Sequence, residues 1–149
     1  MRTISLRYTD KFAPKNGTIQ AHQSIIDDKG YVWYGKMGTP ISTKAAEMIL
    51  QNDDPRFLLI HSGYAERYWM HIDDISREKP ADDDFPAYYR EISDGFKTWF
   101  RVVKIEPAKK DVIGKCKVAS SGAPLSEASR HSMSPYFIID YMNCEDESL

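Results

Sequence analysis

Residues 98–105 restrict the possible folds of this chain more than any other segment. Their aromatic and β-branched composition predicts a strand, and successive side chains on a strand point to opposite faces. Both faces carry apolar side chains here: Trp99, Val103 and Ile105 on one, and Phe100 and Val102 on the other. Such a strand needs cover on both sides, which indicates a closed barrel or a sheet with helices packed over it.

The same patterns predict further strands and two helices. A helix that Ser42 or Thr43 can cap runs to Leu50, and a second short helix is predicted for residues 124–130. Apolar or alternating runs predict strands at residues 4–8, 31–37, 56–61, 68–72 and 136–140. The sequence therefore mixes strands with a few short helices, which is typical of an α+β fold.

The length of 149 residues predicts one domain that spans the whole chain. Residues 1–30 are expected to form an N-terminal arm, in which 10–30 is mostly loop because turn-forming residues stand at both ends. Residues 77–85 are expected to be a mobile acidic loop, and residues 142–149 an acidic tail.

Several classes of protein are excluded by composition. The content of 42% hydrophobic and 28% charged residues is that of a soluble globular chain, and no apolar run approaches the roughly 20 residues of a membrane span. The amino terminus has no signal-peptide core, so we expect a cytoplasmic protein with no membrane partner. Cys116 and Cys144 are the only cysteines and have no His nearby, so neither a zinc site nor a disulfide framework is predicted. No cofactor is expected.

Charge is distributed in blocks along the chain. Residues 97–117 contain seven Lys and Arg against two Asp and Glu, while residues 51–96 contain five against eleven. The formal net charge is only −2, whereas a protein that depends on nonspecific phosphate attraction is usually basic overall. The basic block can form a footprint on one side, and the acidic block can meet a basic protein partner; both runs can also be simple solvated surface.

No catalytic motif is present. The four His residues show no His-Glu-x-x-His spacing, and the sequence contains neither a Gly-x-Ser-x-Gly elbow nor a phosphate-binding Walker loop. We therefore predict a noncatalytic protein. A metal-dependent nucleic-acid hydrolase that uses Asp73 or His71 is a third and weaker alternative.

Three pairs of adjacent aromatic residues on predicted strands are the candidate ligand contacts. The pairs are Trp33 and Tyr34, Tyr68 and Trp69, and Trp99 and Phe100. In each pair one ring can enter the core while its neighbour faces a groove, where a ring can stack on a nucleic-acid base. Lys36 and Arg90 lie among aromatic residues and can clamp phosphates. The candidate rings for a ligand site are Trp33, Tyr34, Trp69 and Trp99, and packing in the core is the alternative for each.

Polar residues near two element ends complete the candidate site. His61 and Ser62 follow the most apolar strand, where a barrel opens, and can bind the edge of a ligand; a plain surface turn is the alternative. Ser121 precedes the second helix, and Arg130, Ser132 and Ser134 follow or end it, so that together they can bind an anion. Helix capping followed by a turn explains the second group equally well.

The order of these elements is similar to that of a known family. Tyr31-Val32-Trp33, the Ala-rich helix at 45–50, the strand at 54–62 that ends in His-Ser, and the segment 130–136 with Arg-x-Ser-x-x-Pro resemble the EVE branch of the PUA-like superfamily, which is related to YTH and ASCH domains. The motifs are weak singly, and their order carries the resemblance.

The resemblance implies a small twisted β-barrel flanked by a few short helices. It also implies a noncatalytic module that binds DNA or RNA and holds a modified or flipped base in an aromatic pocket, here bordered by His61, Ser62 and Trp69. A protein-interaction or inhibitor module that uses its acidic surface is the alternative. The first would retain oligonucleotides with a negative salt slope, and the second would ignore them and bind a protein.

Overall fold

The computed structural model describes residues 1–61, 66–132, 134 and 136–142, and these residues form one seven-stranded mixed sheet with three helices. The strand order is β2-β5-β4-β3-β1-β7-β6, and only β1 and β3 run parallel. The strands are β1 (Arg2–Tyr8), β2 (Val32–Met37), β3 (Arg56–His61), β4 (Tyr68–Ser76), β5 (Phe96–Pro107), β6 (Cys116–Val118) and β7 (Tyr136–Tyr141), and the helices are α1 (Gly17–Lys29), α2 (Thr43–Leu50) and α3 (Leu125–His131). An α+β fold with a few short helices is confirmed.

The sheet is curled, and its concave face holds the main core. Leu6, Tyr34, Phe57 and Phe100 come from four different strands and belong to one buried cluster, which α1 and α2 cover. The edge strand β2 approaches β1 closely enough for both strands to line one cavity, although the sheet order places them at separate positions. The curl therefore produces a barrel-like body that is open between β1 and β2.

Two smaller clusters cover the convex face. The first packs α3 against the middle of the sheet through Leu58, Leu125 and Ile139. The second packs residues from the segment after β4 against the start of β5, with Phe85 stacked on Trp99 at a centroid distance of 5.2 Å. Cover on both faces of β5 is thus confirmed near its start, but Val103 is exposed because neither convex cluster extends to that position.

Helix α1 corrects the prediction that residues 10–30 are mostly loop. Its buried positions, Thr18 and His22, are polar and four residues apart, with Ile19, Ile25 and Ile26 packed beside them. This spacing is helical, but polar residues at the buried positions hide it from a hydrophobicity pattern. Gly30 ends the helix in a left-handed conformation, as a C-terminal glycine commonly does.

The bounds of the other elements agree closely with those predicted from the sequence. Ser42 caps α2 by accepting a hydrogen bond from the backbone N–H of Ala45 at 3.0 Å, and α2 ends at Leu50. Strand β3 has the expected bounds, while β1, β4, β5 and β7 run one to four residues further than expected at one or both ends. Strand β6, in the basic block, was not expected because it is only three residues long. In the part of the chain that the structure describes, every helix is too short or too polar to cross a bilayer.

Candidate functional site

A cavity lined by aromatic rings opens between β1 and β2. Its volume is about 170 Å³, similar to the roughly 150 Å³ cavity that accepts one benzene ring in another protein. Side chains come from β1, the loop after β1, the start of α1, β2, the segment between β4 and β5, and the start of β5. We call this cavity the aromatic cleft; its rings belong to Tyr8, Phe12, Tyr34, Tyr88, Tyr89 and Phe96, and its other lining residues include Leu6, Arg7, Thr18, Gly35, Lys36 and Met37.

Packed aromatic rings form one wall of the cleft. The centroid of the Tyr89 ring lies 4.9 Å from that of Tyr88 and 4.4 Å from that of Phe96, and the Thr18 hydroxyl, which also lines the cleft, donates to the Thr9 carbonyl oxygen at 3.1 Å. Burial raises the pKa of both Tyr88 and Tyr89, so both hydroxyls stay protonated at neutral pH. These rings are therefore positioned neutral groups that can donate or accept hydrogen bonds.

Gly35 permits Phe96 to join this wall. A Cβ atom at this position would lie 2.6 Å from Cγ of Phe96, which is closer than real Cβ contacts. The Phe96 ring consequently lies directly on the backbone of β2. Only glycine allows this approach, and the ring placed in this way lines the cleft.

Lys36 is a buried cation that lines the aromatic cleft. It is only 6% exposed, and its Nζ donates hydrogen bonds to the carbonyl oxygens of Met37 at 3.2 Å and Thr39 at 2.7 Å. The same Nζ lies 4.9 Å from the centroid of the Tyr136 ring. Burial lowers the pKa of Lys36. An ammonium has three donors, so two carbonyl partners leave one N–H for another acceptor.

Two of the predicted site residues, Tyr34 and Lys36, line the aromatic cleft, and His61 lies near it. The His61 ring packs edge-on against Tyr8 at 4.8 Å, and its Nε2 lies 3.6 Å from Oδ2 of Asp10. Tyr8 lines the cleft, so His61 supports the cleft from behind. Ser62 lies outside the described residues.

Trp33 and Trp99, which were predicted as stacking rings, take part in packing instead. Trp99 is fully buried among Phe85, Tyr89 and Phe96, and Trp33 packs partly buried against the same cluster. The expectation that Trp99 faces a ligand is therefore corrected: both faces of its strand are covered at this position, so no open face remains for the indole.

Trp69 lines a different cavity, on the convex side of the sheet. Its ring is 5% exposed, with the Arg56 guanidinium 4.6 Å above it and Tyr141 edge-on at 5.0 Å. The cavity beside them measures about 190 Å³ and is bordered by Glu106, Lys115 and other polar residues. Trp69 is thus separated from the aromatic cleft by the sheet itself.

Arg90 and the acidic loop are paired with each other. Arg90 is exposed and lies 3.5 Å from the Asp83 carboxylate, so a phosphate would have to compete with that pair. Asp82 lies 3.8 Å from Lys79, and Asp84 lies 3.0 Å from Lys29. All three carboxylates of the run therefore have a cationic neighbour, and the loop presents less negative charge than its sequence suggests.

The residues around α3 cap a helix and do not surround an anion. The Arg7 guanidinium donates to the carbonyl oxygens of Ser129, Ser132 and Ser134, the latter two at 2.8 and 3.1 Å. Arg130 Nε donates to the Ser126 carbonyl.

Ser121 is separate from this group, because its hydroxyl accepts a hydrogen bond from the backbone of Ala123 within its own turn. Ser132 and Ser134 do line a shallow groove of about 900 Å³ between α2 and β7, which we call the serine groove.

The basic block is partly neutralised by neighbouring carboxylates. Arg101 pairs with Asp73, Lys104 lies 3.8 Å from Glu106, and Lys115 lies 3.4 Å from Asp111. In the ranges that the structure describes, no three His, Cys, Asp or Glu side chains are grouped so that they could hold a metal ion.

Most residues of the aromatic cleft carried no separate signal in the sequence. Tyr8 lies on a predicted strand, Thr18 lies in predicted loop, and Tyr88 and Tyr89 are distinguished in the sequence only as the aromatic residues before Arg90. A search for helical spacing that allows polar residues at buried positions would have found α1. It would then have placed Thr18 on a helix beside the cleft.

Comparison with known proteins gives one match. A family model described as Pua-like matches residues 4–141 of this chain. Neither the curated proteins nor the solved structures contain a significant match.

Proposed function

The chain belongs to the Pua-like family, and from that premise we propose that it binds nucleic acid by holding one base in the aromatic cleft. Domains of this family generally bind nucleic acids. The observation that carries the proposal is the convergence of six aromatic rings, from five separate segments, on a cavity large enough for one planar ring. A base enclosed by such rings gains stacking, worth about 1–3 kcal/mol per base.

The polar groups of the cleft suit the edge of a base. Lys36 has one N–H beyond its two carbonyl partners, and a base carbonyl or ring nitrogen can accept it. Tyr88 and Thr18 add hydroxyls to the lining of the cleft. Leu6 and Phe96 supply apolar surface on which a methyl substituent of a modified base can pack. These contacts bind and orient a base, and the proposal includes no chemical step.

The proposal is tested with labelled DNA and RNA oligonucleotides, each in a plain and a methylated form, titrated by fluorescence anisotropy. We expect Lys36→Met to weaken binding about tenfold, because it removes a charged hydrogen-bond donor while retaining the length of the side chain. Lys44→Met is the matched control, since Lys44 is exposed on α2 and lines only the serine groove.

Two results would contradict the proposal. Binding that Lys44→Met weakens more than Lys36→Met would place the nucleic acid in the serine groove. Failure of the wild-type protein to bind any of the oligonucleotides would remove the function itself.

A further inference from the structure

Two exposed apolar side chains flank the opening of the aromatic cleft. Phe12 is 48% exposed and Met37 is 41% exposed, and both also line the cleft. Phe12 belongs to the loop after β1, whereas Met37 ends β2, so the two side chains reach the opening from different elements. We call them the rim pair.

The loop that carries Phe12 is held by its own hydrogen bonds. Asp10 accepts a hydrogen bond from the backbone of Thr18 at 3.0 Å through Oδ1, and from the backbone of Ala13 at 3.1 Å through its carbonyl oxygen. The backbone N–H of Lys11 donates to Oγ1 of Thr9 at 3.2 Å. Phe12 therefore projects from a structured turn rather than from a free strand of chain.

Positive charge accompanies the ring. Nζ of Lys11 lies 5.4 Å from the centroid of the Phe12 ring, and Lys15 is exposed in the same loop. An apolar side chain beside cations is suited to a place where stacked bases and phosphates are contacted together. A partner that presented only apolar surface would leave these ammonium groups without counter-charges.

A base that enters the aromatic cleft from a duplex must first leave its stack. Extraction costs a few kcal/mol and leaves a gap in the helix, and Phe and Met are among the side chains that proteins insert between base steps. Resting on the proposed function, we propose that the rim pair is a wedge that enters duplex nucleic acid beside the base held in the aromatic cleft. The target class is therefore a paired duplex rather than a single strand.

The wedge proposal predicts that the rim pair matters most where a base pair has to be opened. Phe12→Ala and the double variant with Met37→Ala should weaken binding to a fully paired duplex about tenfold or more. The loss should be smaller when the central pair is a mismatch and smallest for the single strand, where no stacking has to be broken and only the contacts of these side chains with the base in the cleft are lost. Val103→Ala is the matched control, since Val103 is exposed on β5 and does not line the cleft.

The experiment uses the full chain with short DNA and RNA duplexes, matched and mismatched, and the corresponding single strands. Each carries 2-aminopurine beside the central base, because the fluorescence of this probe rises when its neighbour unstacks. Anisotropy gives the affinities. Because Phe12 and Met37 are exposed, the melting temperatures of the variants should stay near that of the wild type.

The outcomes separate the wedge from the proposed function. The wedge is supported if the variants lose most affinity for the matched duplex, less for the mismatched duplex and least for the single strand, and if their 2-aminopurine fluorescence rises less than that of the wild type. Equal losses on all probes, no loss on any, or duplex binding without a fluorescence rise overturn it. Binding of single strands alone also overturns it while leaving the proposed function intact, whereas absence of all binding removes both.

Discussion

Gly35 sets the shape of the aromatic cleft at the scale of one atom. Gly35→Ala would place a Cβ 2.6 Å from the Phe96 ring, so either the ring or strand β2 has to move. We expect a loss of about 1–3 kcal/mol in the free energy of unfolding, as for other overpacked sites. Urea denaturation followed by circular dichroism measures it.

Gly114→Ala is the control for this substitution. A Cβ at Gly114 meets nothing within 4 Å and the backbone there is not left-handed, so a change within about 0.5 kcal/mol is expected. Equal effects of the two substitutions would show that the contact between Gly35 and Phe96 does not limit stability.

His22 makes the stability of the protein dependent on pH. Its Nδ1–H donates to the Thr18 carbonyl at 2.8 Å, while Nε2 is buried with no hydrogen-bond partner between the rings of Tyr34 and Tyr89. Burial lowers the pKa of His22 from 6.5 to about 4. The unfolded chain therefore binds a proton more readily than the folded one between these values, and stability rises with pH through this window.

We expect His22 to contribute about 3 kcal/mol of pH-dependent stability, which is fully present above pH 6.5 and is lost as the pH falls to about 4. His22→Leu should flatten the curve of unfolding free energy against pH in this window. His131→Leu, at an exposed position, should leave the curve unchanged. A curve for His22→Leu that parallels the wild type would refute the assignment.

Individual site residues were only partly accessible from the sequence. The sequence predicted Tyr34 and, two residues later, Lys36 as ligand contacts, and both line the aromatic cleft, but it gave the same prediction for Trp33 and Trp99. What separates them is the cover contributed by Phe85 and Tyr89, which lie in a segment without regular periodicity. Burial at such positions depends on tertiary contacts that no local pattern contains.

Among the elements, α1 depends on a residue that lies outside it. Asp10 accepts a hydrogen bond from the N–H of Thr18 in the first turn, in place of the N-terminal residue Asn16, whose side chain makes no cap. We expect Asp10→Ala to lower the free energy of unfolding by about 1 kcal/mol, as loss of a helix cap does.

Asp10→Asn is the matched variant, because its amide oxygen can still accept the hydrogen bond, and we expect it to recover much of the loss. Thermal denaturation monitored at a helix-sensitive wavelength distinguishes the two. If both variants destabilise equally, the charge of Asp10 beside His61 is responsible rather than the hydrogen bond.

Elements with apolar periodicity were predictable, and the others were not. Strand β3 and helix α2 bury Leu, Ile, Phe and Ala at regular spacing, so their bounds were found within about one residue. Helix α1 buries a histidine and a threonine, and β6 extends over three residues. Both gain their stability from neighbouring elements, which is why their own sequences do not reveal them.

For the whole molecule, the distribution of charge predicts a weak dependence of nucleic-acid binding on salt. The described cations at the aromatic cleft and its loop are Lys11, Lys15 and Lys36, with Arg7 committed to main-chain carbonyls. Because Lys36 is assigned to the edge of the base, Lys11 and Lys15 leave two phosphate contacts, which correspond to a slope of log K against log salt no steeper than about −2.

Anisotropy titrations at several potassium chloride concentrations measure this slope. A slope near −6 would instead indicate that the cations at 97–117 bind the phosphates despite their pairing with Asp73, Glu106 and Asp111. Replacing Lys110, exposed in that block, by Met would then reduce the slope, whereas it should have no effect if the aromatic cleft is the site.

The fold class was predictable from the sequence because the sequence itself sets the order of strands and helices along the chain. The order of strands and helices indicated a PUA-like domain, and the family match confirms it; the EVE branch stays a prediction. The aromatic cleft could not be located in this way. It forms where residues near 8, 35, 89 and 96 meet, and that meeting depends on the curl of the sheet.

The position of β1 has a consequence for synthesis on the ribosome. This strand is translated before the other strands of the sheet, yet Ser5 pairs with Leu58 on one side and with Phe137 on the other. A nascent chain therefore carries β1 with one unsatisfied edge until translation has passed β7. Chaperones that shield strand edges would act during that interval, and premature termination before β7 would leave a product prone to aggregate through β1.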